Sequence, residues 1–338
     1  MRRSIKTLLA AVLLATVLAT APAPTAAQDI NESLSRLARD NAELYVSPIA
    51  EGLGFTLHSG LAEDASAHGQ LGFDFGVRVM GAWVPDEKKT FVPALPTVEF
   101  GGTTYDEGSY LRPVDGGDLL TPTAAGAGDG IVLEPAGDYR AAINSTPGEN
   151  ADDPQWQIPF PDGQDIPAVP FVVLQAGLGI GFNTEVTLRA IPPVEPSADV
   201  GEVSAFGLGA KHEIGGWFPT PLPIDVSLTA GYQNVNVGSY LDASSTAFGL
   251  AVGRGLGPLD VFGTVESVHP SVDVSYTIDN PDLPASINGT DVSFSPDLGS
   301  ETRFGVGANM QFLILNVSAL YTLGDYNVAS VKAGVSFR

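Results

Sequence analysis

The chain ends on a strict two-residue period. Ala329, Val331, Ala333, Val335 and Phe337 share one parity, and Ser330, Lys332, Gly334, Ser336 and Arg338 share the other. Such alternation marks a β-strand with one oily face and one wet face. The same pattern opens the regular part of the chain. In "GQLGFDFGVRVMGAWVP", Leu71, Phe73, Phe75, Val77, Val79 and Trp83 oppose Gly72, Asp74, Gly76, Arg78 and Met80. It returns in "PFVVLQAGLGIG" and "TEVTLRAI", which flank a tight turn at Phe182–Asn183. It continues in "SAFGLGAKHEIGGW", "PIDVSLTAGYQ", "SVDVSYTI", "ETRFGVGANMQF" and "NVSALY". In "SVDVSYTI" the apolar set is Val272, Val274, Tyr276 and Ile278.

Two stretches break the period. "DINESLSRLARDNAELY" has Ile30, Leu34, Leu37, Ala38 and Leu44 at helical spacing, with Asp29 and Glu32 at capping-box spacing. It predicts a short helix over 28–48, assigned to the periplasm, with Pro48 ending it. From about 85 to 170 Pro, Gly and Asp dominate, so regular strands cannot run throughout, although "TVEFGG" can pair. This excursion holds 15 acidic residues against 4 basic ones. Its length suits either a solvated surface loop or a plug or lid.

Alternation alone fits a soluble sandwich, which hides its apolar parity, or a membrane barrel, which shows that parity to lipid. Three features favour the barrel. The strands run longer than the ~5–6 residues usual in globular sheets. The polar parity is Gly, Ser, Thr and Asn with isolated charges of both signs: Asp74, Arg78, Glu185, Arg189, Lys211, Glu213, Asp225, Glu266, Arg303 and Lys332. These are the candidate lumen residues, serving as a salt-bridged lining or a polar path for solute. Trp83, Trp217, Tyr240, Tyr321 and Phe337 fall near strand ends, where interfacial aromatics belong. The expected fold is all-β: an antiparallel transmembrane β-barrel filling 49–338. At ~10 residues per strand it would hold about 12 to 14 strands.

Composition narrows the function. "MRRSIKTLLAAVLLATVLATAPAPTAAQD" has the cationic start, short apolar run and small residues of a secretory signal, with cleavage expected after Ala27. Loss of its three cations takes the formal net charge from −23 to −26, which disfavours nucleic acid and anionic surfaces. With no cysteine, disulfides, a lipid-anchored cysteine and thiolate metal sites are excluded. No G-x-S-x-G occurs, and His58, His68, His212 and His269 are scattered, so no enzyme is expected. His212 reads as an interfacial side chain. "DGGD", "NADDP" and "DGQD" lack calcium-loop spacing; no metal and no cofactor is expected.

"AELYVSPIAEGLGFTLHSG", "GLGIGFNTEVTLRAIPP" and "FGLGAKHEIGGWFPTPLPIDVSLTAGY" together resemble a family of bacterial outer-membrane barrels. That family is similar in layout to the fatty-acid transport porins. The resemblance implies an outer-membrane location, with membrane lipid and the barrel-assembly machinery as partners; the terminal Phe337 is similar to the aromatic assembly signal, though Arg338 follows it. It implies a passive channel or transporter for small, hydrophobic molecules, with the ligand unknown. The alternatives are a surface-interaction barrel with a closed lumen and a secreted soluble sandwich.

Overall fold

The alternation at 73–83 folds as strand β1 (Phe73–Trp83). Its two parities part: Phe73, Phe75, Val77 and Val79 are exposed, while Asp74 and Arg78 are buried. The structure is a computed structural model, and it describes residues 27–106, 108–195, 201–218, 222–277 and 291–337. Residues 1–26, which hold most of the expected secretory signal, Arg338 and most of "DNPDLPASINGTD" lie outside the described residues.

Nine further long strands follow: β2 (Ala168–Gly181), β3 (Thr184–Val194), β4 (Val203–Glu213), β5 (Asp225–Val237), β6 (Leu241–Leu256), β7 (Leu259–Thr277), β8 (Glu301–Phe312), β9 (Leu315–Leu323) and β10 (Val328–Phe337). Each neighbouring pair in the order β6-β5-β4-β3-β2-β1-β10-β9-β8-β7 is hydrogen-bonded, and β6 also pairs with β7. The ladder therefore closes on itself as a ten-stranded antiparallel barrel. A short additional strand, Asp291–Phe294, pairs with the end of β7. Closure removes the open edges that a sheet would otherwise present. Among the described residues no helix is long and apolar enough to cross a membrane, which says nothing of strands.

The fold class is as the sequence predicts, but the strand count is ten rather than 12 to 14. The expectation divided the length by about ten residues per strand. β6 and β7 instead run for 16 and 19 residues. The excursion contributes no strand to the ladder.

A second difference lies at the end of β7. Its pairing with β8 stops at Val268↔Glu301. Beyond that point His269, Ser271 and Asp273 are exposed, and Val272 and Val274 are buried. Of the apolar set of "SVDVSYTI", Val272 and Val274 therefore point inward, while Ile278 lies outside the described residues. β7 has outrun its partner strand, so its outer face carries polar residues.

The chain divides into two compact units. The barrel unit comprises Ile49–Pro85, Ala168–Asp273 and Ser295–Arg338. The other contains the chain up to Pro48, Asp86–Pro167 and Val274–Phe294. In this second unit the excursion is folded. Val98–Phe100 pairs with Thr103–Tyr105, and Leu111–Pro113 and Ile158–Pro159 both pair with Val132–Pro135. Helix α2 (Gly137–Ser145) inserts Tyr139 and Ile143 into a small core with Leu133 and Ala151. Tyr139 meets Phe100, Tyr105, Tyr110 and Trp156 edge-on, with ring centroids 5.1–6.4 Å apart. Burial, with Tyr110 and Tyr105 alongside, raises the Tyr139 phenol above its ordinary pKa.

The N-terminal helix α1 spans Ala27–Thr56 and continues through Pro48, where the sequence predicts its end. Proline removes one helical hydrogen bond and crowds the preceding turn. Ser47 and Thr56 hydroxyls donate to the carbonyls four residues earlier, at 2.6 Å each. The extension survives because its last turns are buried, with Ala50 at 0% and Phe55 at 3% exposure.

Candidate functional site

A barrel of about eight strands is filled by its own side chains, and ten leave more room. Here residues 49–72 occupy that room. Phe55 stacks on Tyr326 at 5.7 Å, and Arg303 Nη1 donates to the Phe55 carbonyl at 2.7 Å. Deeper in, Arg189 Nη1 and Nη2 donate to the carbonyls of Leu57 and Ser59, at 2.8 and 2.9 Å. His58 is buried, with Nε2 2.6 Å from the Ser245 carbonyl. Further on, Ser227 Oγ donates to the Ala65 carbonyl at 2.6 Å. The segment leaves through Leu71, whose N–H donates to Gly179 O, and β1 begins.

Wall glycines make this passage possible. A Cβ at Gly209 or Gly231 would lie 2.4 or 2.6 Å from the Leu61 side chain. On the segment itself, Gly60 has φ +70° and faces Arg78 so closely that a Cβ would sit 2.0 Å from Nη1.

Charge holds the segment in place. Glu63 Oε1 accepts from Lys332 Nζ at 2.6 Å, Arg78 Nη2 at 3.1 Å and Gln175 Nε2 at 2.5 Å. Asp64 accepts from Lys211 Nζ at 2.8 Å and Asn309 Nδ2 at 3.2 Å. Gln175 Oε1 is shared by Arg78 Nε and Arg189 Nε, at 2.9 and 2.8 Å. His68 Nδ1 lies 2.6 Å from Glu185 Oε2, which also pairs with Lys211 at 3.1 Å. Asp74 pairs with Lys332. The buried wall cations Arg78, Arg189, Lys211, Arg303 and Lys332 outnumber the buried wall carboxylates Asp74, Glu185 and Glu266, with the half-buried Glu301 lying 3.8 Å from Arg303. Glu63 brings a carboxylate to Arg78 and Lys332, and Asp64 brings one to Lys211. A buried charge left unmatched is costly, so the segment and the wall are complementary.

Of the ten charged residues singled out from the sequence, Asp74, Arg78, Glu185, Arg189, Lys211, Glu266, Arg303 and Lys332 are buried in the lumen. Glu213 and Asp225 are half-buried, at the barrel end where β4 and β5 connect. The aromatics Trp83, Tyr321 and Phe337 are exposed at or near strand ends, Trp217 is exposed in the β4–β5 connection, and Tyr240 is half-buried in the β5–β6 turn. Trp83 and Tyr321 sit 6.3 Å apart at one end; Phe73 and Phe337 stack at 4.9 Å at the other. His212 lies beside Trp217 with Nδ1 2.9 Å from Thr184 Oγ1.

The sequence reading missed Glu63, Asp64, His68 and Gln175. The signal available was an acidic pair in "HSGLAEDASAHGQ", a glycine-bearing stretch of neither period between helix and first strand. His68, Asp74 and Glu185 bring ligand-type atoms within 4.8 Å of one another. A cation there would have to displace Lys211 and Lys332 from the same carboxylates.

The chain belongs to the family described as "Family of unknown function (DUF6588)", which it matches over residues 1–337. No curated protein matches it. Among solved structures it is similar to the β domain of the Bordetella autotransporter BrkA, at 12% identity and a TM-score of 0.28, over 79% of this chain and 99% of that one. It is similar to the Ralstonia pickettii toluene transporter TbuX at 11% identity and a TM-score of 0.25, over 88% and 92%. It is similar to a loop L8 deletion mutant of OmpT, an outer-membrane protein of Vibrio cholerae, at 10% identity and a TM-score of 0.24, over 79% and 98%. None of the three is a fatty-acid transporter. At these scores the fold assignment rests on the strand ladder itself.

Proposed function

We propose that this chain is an outer-membrane β-barrel that works as a plugged channel for small solutes. Residues 49–72 close it at rest, and solute passes when they shift. Support for the membrane comes from the inverted distribution of side chains: Phe75, Val77, Leu174, Leu188, Leu208, Leu228, Val265 and Val317 face outward, each 38–49% exposed, while arginines and lysines are buried. A water-soluble protein rarely exposes so large an apolar area. Lipid satisfies it at no cost, and closure of the ladder pairs the backbone of neighbouring strands around the barrel.

The observation that carries the channel reading is the chemistry of the contact between the internal segment and the wall. It is made mostly of ion pairs and hydrogen bonds to backbone carbonyls, with a smaller apolar contact of Ala62 and Ala65 against Ala251, Phe262 and Leu320. Buried ion pairs add little net stability, because water solvates the separated charges nearly as well. Displacing this segment into a wet lumen therefore costs less than pulling an apolar cork. The same density of contacts favours a second reading, a permanently closed barrel acting through its excursion.

Conductance across planar bilayers separates the two. The expected result is rare, brief openings for the native chain and frequent ones for Glu63→Gln combined with Asp64→Asn. Silence from both proteins, each folded by heat-modifiability, would overturn the channel reading and leave the closed barrel.

A further inference from the structure

The two ends of the barrel differ. One end carries the turns at 182–183, 257–258 and 313–314, two residues each, and one longer connection, 214–224. The other carries the short connections 238–240 and 324–327, but also those at 195–202 and 278–300 and the 84-residue connection 84–167, which outweigh everything at the first end. Bacterial outer-membrane barrels keep short turns in the periplasm and long loops outside.

The internal segment has a direction relative to those ends. Gly52 lies against Val169 and Tyr326, and Tyr326 Oη donates to Glu51 Oε2 at 3.0 Å. Tyr326 is in the β9–β10 turn, and Val169 is the second residue of β2, directly after the excursion. The chain is therefore at the long-loop end at residues 51–55. It is at mid-height by Gly60 and Glu63, which meet Arg78 and Lys332. It reaches the short-turn end at Gly69–Gly72, where Gly72 lies beside Phe337 O. β1 then runs back the other way.

From this course we infer that the chain is threaded through its own barrel, and that the helix leading into Ile49 is displayed outside the cell. This rests on the outer-membrane reading above, and it differs from the periplasmic helix expected from the sequence. Independent contacts within the second unit agree. Asn41 Nδ2 donates to Ala94 O at 2.9 Å, Ala94 N donates to Asn41 Oδ1 at 2.9 Å, and Tyr45 Oη donates to Asp162 O at 2.8 Å. Residues 41–45 are thus packed on the excursion, and both ends of that excursion join the barrel at the long-loop end. A periplasmic helix would require the segment to run through the lumen in the opposite sense, or the excursion to leave it.

The natural absence of cysteine makes the test direct. Single variants Asp40→Cys and Leu44→Cys probe the helix, both positions being exposed. Ser239→Cys, exposed in the β5–β6 turn, and Pro258→Cys, exposed in the β6–β7 turn, report the two ends. Each variant is first shown to fractionate with the outer membrane; recovery without detergent in the soluble fraction would overturn both this inference and the reading beneath it. Intact cells are then treated with a membrane-impermeant maleimide. The expected result is labelling at 40, 44 and 239, with 258 labelled only after the outer membrane is permeabilised. Protection at 40 and 44 with labelling at 239 would sink the threading while leaving the barrel in place. Labelling at 258 with protection at 239 would also sink it, by reversing the barrel.

Discussion

Glu63 Oε1 lies 2.6 Å from Lys332 Nζ and 3.1 Å from Arg78 Nη2, so one carboxylate on the internal segment neutralises cations on two paired strands. Lys332 keeps a second partner in Asp74, whereas among these contacts Glu63 is the carboxylate on Arg78. Glu63→Gln therefore leaves the guanidinium uncompensated. Breaking one side of a buried pair typically costs about 3–5 kcal/mol. The second link to Lys332 places the expected loss toward the lower bound, read by urea unfolding in detergent. Combining Glu63→Gln with Lys332→Met should cost less than the two single changes added, since the pair shares one interaction. Strict additivity would show that the contact contributes nothing.

The wall offers a contrast between neighbours. Leu228 is 44% exposed and Ser227 is 0% exposed. If the outer face meets hydrocarbon, Leu228→Arg costs roughly 2–4 kcal/mol near the midplane. Ser227→Arg should also be poorly tolerated, because the serine hydroxyl is bonded to Ala65 O and the lumen there is filled. Stability alone does not separate the faces. Labelling does: cysteine at 228 should react with a bilayer-soluble maleimide in vesicles, and cysteine at 227 with neither that reagent nor an impermeant one. Equal reaction of both with the impermeant reagent would mean that Leu228 does not face lipid.

The excursion carries its own pH signature. Burial, then the neighbouring Tyr110 and Tyr105, raise the Tyr139 phenol above the ordinary tyrosine pKa of about 10. A phenol raised in the folded state stays neutral while the same group in the unfolded chain ionises. Its contribution is complete below that ordinary value and is lost as pH rises above it. Ultraviolet phenolate titration should show Tyr139 ionising last, together with loss of the near-ultraviolet dichroism of the Trp156 cluster. Tyr139→Phe should remove that late step. Titration of all tyrosines in a single step near the ordinary value would show that the excursion core is open.

What the sequence made legible follows from locality. A period of two is written within each strand, so the outward Phe75 and inward Arg78 could be assigned without knowing their partners. The turn at Phe182–Asn183 was equally local: both residues have positive φ, 53° and 55°, as a tight hairpin turn needs. The strand count was less so, because β6 and β7 overrun any average length. The occupant of the lumen was hidden for a deeper reason. Glu63 and Lys332 are 269 residues apart, and the stretch around Glu63 has no period to betray which surface it meets. Pro48 misled in the opposite direction: a local helix-breaker was overridden by the burial of Ala50 and Phe55 beyond it.

Two glycines on the internal segment test whether its path is fixed by contact or merely by confinement. At Gly60, φ is +70° and a Cβ would stand 2.0 Å from Arg78 Nη1 and 2.6 Å from Ser330 Oγ. At Gly69 a Cβ would meet nothing within 4 Å, and its φ is not positive. An L-residue held in the left-handed region costs roughly 1–2 kcal/mol before any clash. Arg78 cannot simply swing aside, because its other nitrogens are engaged by Gln175, Ser318 and Glu63. Gly60→Ala should therefore loosen the segment, which conductance would register as more frequent opening and limited proteolysis as new cleavage between 57 and 72. Gly69→Ala should leave both unchanged. A segment that merely fills space would respond alike to the two substitutions; one held against Arg78 responds only to the first.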